Sequence, residues 1–191
     1  MQRAGEVTAS ATSEFAAQCY ELYCLPPLGC LIKVGEPPIY GVVYNGTTTS
    51  IEPGRRPIAR GQNEESEEAL YRNSPQIKKL LRSEFTALAV GYKDDGKIVQ
   101  ALPPNPPAIH SFVYLCPPDE VKEFSQSLDF LNVIVNTHLP VATEELVAAC
   151  LKQMAAAHDD RHAFLVSAGK ELTGLLRGNF NQLRLILGRL E

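Results

Sequence analysis

Apolar residues along this chain follow two different periods, and one gives way to the other near residue 118. In the first part they alternate over short runs. From Glu14, Phe15, Ala17 and Cys19 share one parity, with Tyr20, Leu22 and Cys24 on the other. Further runs cover Leu28 to Val34, Ile39 to Tyr44, Phe85 to Tyr92, Lys97 to Leu102 and Ile109 to Cys116. Alternation places one set of side chains on each face of a strand. Asn45-Gly46 follows Tyr44 and predicts a two-residue hairpin, because both residues accept positive φ, with Thr47 to Ile51 as its return strand. Glu52-Pro53-Gly54 turns again, and Pro57 to Arg60 reads as a short edge piece. Lys93 to Gly96 joins the two strands on either side of it.

Two interruptions stand out. Residues 1–12 are small and polar and read as a flexible arm. Near 63–82 a helical insertion is expected, with Asn63 capping a turn that holds Glu64, Glu65, Glu67 and Glu68. Ser74-Pro75 then opens a second short helix through Leu81.

Beyond residue 118 the step becomes helical. Val121, Phe124, Leu128, Leu131 and Val135 advance by three and four residues, although the β-branched Val133-Ile134-Val135 leaves a strand possible there. Thr143 is placed to cap a helix carrying Leu146, Val147, Cys150, Leu151 and Met154. Asp160 caps another that carries Phe164, Leu165, Ala168 and Leu172. Gly178 ends it, and a last helix carries Phe180, Leu183, Ile186 and Leu190. Proline use follows the same divide. Thirteen of the fourteen prolines lie between Pro26 and Pro118, the last is Pro140, and proline suits strand edges and corners but breaks helix interiors. The pattern predicts an α+β protein: a six-stranded small β-barrel over 13–117, then an α-helical subdomain over 118–191.

Charge and cysteine change the picture little. A net charge of −4 gives no general nucleic-acid footprint, so no nucleic-acid partner is expected. Basic residues gather late (Arg161, Lys170, Arg177, Arg184, Arg189) and acidic ones at 64–68, which suits protein contact or docking of tail on barrel. Five cysteines without Cys-x-x-Cys spacing read as reduced, buried thiols and imply the cytoplasm. The first twenty residues contain no long apolar run, so no signal peptide is expected, and no stretch is long enough to span a bilayer.

Candidate chemistry is sparse. Gly91 to Lys97 has phosphate-loop spacing, but Ile98 stands where a magnesium-binding hydroxyl should be and Asp94-Asp95 would repel phosphate. A hairpin at Asp95-Gly96 accounts for it. His158 and His162 have the four-residue spacing of a helical metal pair, yet Asp159-Asp160 looks like a helix junction. Arg55, Arg56 and Arg60 could bind an anion or join a salt-bridge network with the nearby glutamates. Arg184 and Arg189, beside an apolar helix face, suggest contact with a protein or an anionic membrane. No cofactor is expected.

The run Leu28-Gly29, Ile39-Tyr40-Gly41-Val42-Val43-Tyr44 and Thr49 to Gly61, with its Glu52-Pro53-Gly54-Arg55-Arg56-Pro57 corner, resembles the HAS barrel. That family is named from the barrels that open HerA-type DNA-translocating ATPases and the ATP synthase α and β subunits. The likeness covers about Phe15 to Cys116, and the whole chain looks like a stand-alone cyanobacterial member. It implies a barrel that packs beside other barrels and does no chemistry of its own. Helices replace the P-loop domain of the larger relatives, so no catalytic residue transfers. The resulting expectation is a non-enzymatic interaction or oligomerisation module that self-associates or serves a larger, ATPase-type partner. The alternatives are an enzyme with a metal or anion site near His158 and His162, and peripheral membrane association through the last helix.

Overall fold

Every strand of this protein pairs antiparallel to its neighbours, and the pairings return on themselves. The computed structural model describes residues 2–52 and 54–190. Seven strands are β1 (Arg3–Ser10), β2 (Glu14–Cys19), β3 (Leu31–Val34), β4 (Ile39–Ser50), β5 (Leu81–Asp94), β6 (Lys97–Val99) and β7 (Phe112–Leu115). Their order is β2-β1-β7-β3-β4-β5-β6, and β2 also pairs with β5. Six strands therefore form a ring of pairings, from which β6 extends as a short edge beside β5. The helices are α1 (Glu67–Asn73), α2 (Gln76–Lys79), α3 (Pro118–Phe124), α4 (Phe130–Asn136), α5 (Thr143–Ala155), α6 (Arg161–Leu175) and α7 (Phe180–Leu190). The fold is α+β, as the pattern of periods predicts.

Two apolar clusters organise it. One takes side chains from all six ring strands, including Val7, Phe15, Ile32, Val43, Phe85 and Val113, so it is the face the ring turns inward. The other joins the outward side chains of β3, β4 and β5 to α3–α7. In β4, Tyr40, Val42 and Tyr44 belong to the helix side and Val43 to the ring interior. In β5, Leu88 and Val90 face helices while Phe85 and Ala87 face inward. Strands buried on both faces read as continuous apolar runs, which is the character of Ile39–Tyr44 and Phe85–Val90. Phe124 seals the helix side, its ring 5.0 Å from that of Tyr40 and 5.4 Å from that of Phe130. Truncating such a ring costs about 3–5 kcal/mol.

Six expectations need correction. The residues at the N-terminus are no arm. Arg3–Ser10 form β1, paired with β2 on one side and β7 on the other, with Val7 fully buried. The first residue of the expected arm lies outside the described residues. Small residues suit this strand because Gly5 lies so close to the Gln18 carbonyl that a Cβ would sit 2.3 Å from its oxygen.

Asn45-Gly46 is no hairpin. β4 runs straight through it, because β5 is long enough to pair with Ile39 at one end and Ser50 at the other. A register shift between Val43 and Asn45 accommodates the extra residue as a bulge. A Cβ on Gly46 would meet the Leu25 side chain at 3.5 Å, an ordinary contact, so neither space nor backbone conformation requires glycine there. Pro57 to Arg60 form no strand, and the proline of the expected Glu52–Gly54 turn lies outside the described residues.

The stripe from Val121 to Val135 is two helices rather than one. Gln100 holds the break. Its side-chain amide donates to the carbonyls of Phe124 (2.6 Å) and Ser127 (2.9 Å) and accepts from Phe130 N (3.0 Å). Caps shift as well. Ser66, not Asn63, accepts from Ala69 N at 3.1 Å, and Thr143 is the first helical residue after an Ala142 cap. Asp160 caps α6 as expected, accepting from Ala163 N at 2.9 Å. The Asp95-Gly96 hairpin also forms, both residues having positive φ.

Gly29 locks the ring to the helices. Its N–H donates to Val43 O at 2.8 Å, its φ is +78°, and a Cβ there would fall 2.4 Å from the backbone nitrogen of Cys150 in α5. Gly29→Ala should cost about 1–2 kcal/mol for the left-handed backbone and a further ~1–3 kcal/mol for overpacking. Gly96, with φ +78° and open space around it, should cost only the first of these when replaced by alanine. Paired denaturant melts check the difference; equal losses would show that Gly29 makes no such contact.

Candidate functional site

The helices cover the ring on its β3–β5 side, and the β1–β2–β7 side keeps its outward side chains at the surface. Adjacent pairing there brings together residues far apart in sequence. Arg3 is opposite Tyr114 and Glu6 is opposite Phe112. The Arg3 guanidinium lies 3.9 Å from the Phe112 ring centre and 5.9 and 6.0 Å from those of Tyr114 and Tyr20. A guanidinium at such distances is held by the ring quadrupole. Tyr20 is 54% exposed and Phe112 42%. Beside them Glu6 accepts from Tyr20 Oη at 3.0 Å and meets His110 Nδ1 at 2.6 Å. The His110 contact, then that of Tyr20, lowers the Glu6 carboxyl below its ordinary range. His110 takes positive φ (+68°) at the turn into β7, where its N–H donates to Val7 O.

The arginines singled out in the sequence separate into two groups. Arg55, Arg56 and Arg60 come together on the excursion between β4 and β5, around a pocket of about 340 Å³. Arg55 pairs with Glu52 at 2.7 Å, both well exposed, a pair that contributes little in water. Arg56 and Arg60 have no acidic partner among the described residues, so the network with Glu64, Glu65, Glu67 and Glu68 does not form. Arg184 and Arg189 lie on α7. Arg189 is engaged by Glu145 of α5 at 2.6 Å and by the Leu185 carbonyl, which takes it away from any external anion. On the same helix Phe180 and Leu187 are exposed while Ile186 is buried. No described helix is long and apolar enough to cross a membrane.

His158 and His162 do not act together. His158 sits in the turn between α5 and α6, its ring stacked on Phe164 (4.2 Å, 19°), with Nε2 2.7 Å from Ser125 Oγ. Ser125 is buried and gives its proton to Val121 O at 2.8 Å. His158 is then the donor, the reverse of what activating a serine nucleophile requires. His162 is exposed near the start of α6. Among the described residues no three His, Cys, Asp or Glu side chains converge as a metal set would. The five cysteines are free thiols. Burial pushes Cys19 and Cys30 up to about 11 and Cys116 and Cys150 higher still, so none is poised as a thiolate at neutral pH.

The Arg3 cluster was invisible to a linear reading. Tyr20 shows a strand parity, but Arg3 stands in a run of small and polar residues that reads as an arm, and β1 and β7 are about a hundred residues apart in the chain. Only the rare coincidence of exposed aromatic residues at outward parity could have signalled it. No protein-family model matches this chain, and no curated protein matches it.

Burial, followed by the nearby Lys122 charge, lowers the His158 pKa from its usual value. The folded protein therefore binds this proton less readily than the unfolded chain, for which about 6.5 is normal. Stability is fully present above that value and falls as pH drops below it. Melting temperature should decline from pH 7 to pH 5 more steeply in the wild type than in His158→Gln, which keeps an amide donor for Ser125. Parallel curves would remove the linkage.

Proposed function

We propose that the protein is a non-enzymatic interaction and oligomerisation module of the HAS-barrel type. In this reading the ring of β1–β5 and β7 is a small closed barrel. The helices act as a permanent cover for one wall, and the opposite wall docks a second barrel. The observation that carries the reading is the cluster of exposed Arg3, Phe112 and Tyr20 with half-buried Tyr114 on the wall that the helices leave open. Arginine and large aromatic residues are the types in which interface energy concentrates, above all around the centre of a contact. Aromatic side chains also lose little conformational freedom on binding. The likeness of Leu28–Gly61 to the HAS barrel points to a second copy of this chain as the first occupant. A larger ATPase-type partner that carries such a barrel fits the same wall. The cytoplasm is the compartment in which five free thiols are at home.

A stacked arginine is also favourable for self-association on electrostatic grounds. Glu6 lies beside it, so the patch carries both signs and can meet its own copy across a two-fold axis without net repulsion. Sedimentation velocity over a concentration series should show an oligomer that dissociates in the double variant Arg3→Ser/Phe112→Ser. The loss at such a centre should be about 2 kcal/mol or more, roughly thirtyfold in Kd. Both side chains are exposed, so circular dichroism and melting temperature should change little. A wild-type chain that stays monomeric at high concentration would overturn the proposal.

A further inference from the structure

The excursion between β4 and β5 has a feature that barrel docking does not use. Among the described helices, α1 and α2 are the two that bury no residue. They are nevertheless held in place. Ser66 caps α1, Tyr71 Oη meets Tyr23 Oη at 2.9 Å, and Lys78 Nζ lies 5.0 Å from the centre of the Tyr71 ring. At their base, Tyr23 N donates to Ser83 Oγ at 2.9 Å, and Ser83 meets Thr48 Oγ1 at 2.8 Å. Their apolar side chains, Leu70 and Ile77, line the 340 Å³ pocket together with Leu80 and with Ile58, which is 71% exposed. Apolar residues on anchored helices thus face a void in place of a core. A volume of this size falls at the lower end of small-molecule sites.

The same pocket is also lined by Arg55, Arg56 and Arg60, with Glu52 as its one carboxylate among the described residues. Arg56 and Arg60 line it without an acidic partner among the described residues, and Arg55 spends its charge on Glu52. Guanidinium groups present planar forks that match carboxylate oxygens, and those bonds are stronger than neutral ones. Nothing in the fold needs two cations beside an apolar hollow, because neither closes a turn or caps a helix there. The combination selects a ligand that carries one anionic head and an apolar tail of modest length. Charge alone would leave Leu70, Ile77 and Leu80 unused, and apolarity alone would leave Arg56 and Arg60 unused.

We propose that this pocket binds a medium-chain aliphatic carboxylate. Arg56 and Arg60 take the carboxylate, while Leu70, Ile77, Leu80 and Ile58 surround the chain. The site is separate from the Arg3 wall, so it adds a ligand-binding function to the docking role and does not rest on it.

Calorimetric titration of the full chain with octanoate tests this, with octanol, octylamine and acetate as the comparison probes. Octanoate should bind one per chain, and each of the others about tenfold more weakly or worse. Arg56→Gln/Arg60→Gln should lose about tenfold in octanoate affinity, and Ile77→Ser should weaken it as well, while Arg184→Gln should leave it unchanged. Raising salt should weaken binding through the headgroup. Arg56, Arg60 and Arg184 are exposed and Ile77 is half-buried, and an unchanged melting temperature confirms that each variant is folded. Backbone amide shifts confined to Ile58, Gly61 and the α1–α2 segment would place the ligand. No octanoate binding, equal binding of octanoate and octanol, or full affinity in the arginine double variant would each overturn the proposal.

Discussion

Burial of β4 and β5 on both faces is the constraint from which the rest of this structure follows. One face of each strand belongs to the ring interior and the other to the helical layer. A single pair of strands therefore fixes two cores at once. A one-residue slip in either strand would exchange Val43 for Tyr44, or Ala87 for Leu88, between them, so register is specified from both sides. The small residues mark where this is tightest: a Cβ on Gly41 would press on the Phe15 ring at 3.0 Å, and one on Gly91 on Phe124 at 3.0 Å. These two glycines serve close packing on opposite faces of the same sheet, one inward and one toward the helices.

Because the helices have committed to the β3–β5 wall, the sheet has one protected side and one open side. The open side is not bare backbone, since its strands are paired within the ring. What it offers is side chains. That distinguishes it from the short outer edge of β6, where the free groups are main-chain donors and acceptors over only three residues. Docking through Arg3 and its aromatic neighbours would use side-chain shape and charge, and so permits a choosier contact than strand addition.

The switch of period near residue 118, the helical stripes of α5–α7 and the Asp95-Gly96 hairpin were legible because each depends on neighbours in sequence. So was the Asp160 cap. What escaped depended on distant partners. Asn45-Gly46 has hairpin chemistry, but the long strand that begins at Leu81 offers a continuous ladder, and tertiary pairing prevails over local propensity. The supposed arm becomes a strand because β2 and β7 both present unpaired edges to it. The Val121–Val135 stripe keeps its helical periodicity across a break that one glutamine, Gln100, creates from outside the segment. Candidate sites followed the same division. The local cluster Arg55, Arg56 and Arg60 could be seen from sequence, whereas the pairing of Arg189 with Glu145 and the stacking of Arg3 on Phe112 could not.

Charge placement gives the final reason to separate structural from functional cations. Where the fold uses a charge, it supplies a partner. Lys33 meets Glu120, which also accepts from Tyr40; Lys122 meets Asp159; Arg189 meets Glu145. The Lys33–Glu120–Tyr40 group is half-buried at the junction of ring and α3, where an unpaired charge would be costly, and burial followed by the Glu120 hydrogen bond raises the Tyr40 phenol so that it stays a donor. Arg3 has aromatic faces in place of a carboxylate, and Arg56 and Arg60 have neither among the described residues. Unpaired surface charge is inexpensive, so its presence alone argues nothing. An arginine stacked among exposed aromatic rings, and two more beside an apolar hollow, are different: in each case the neighbouring apolar surface is itself left in water. Exposure of both the charge and the hydrophobic surface beside it is what sets these two places apart from the paired cations.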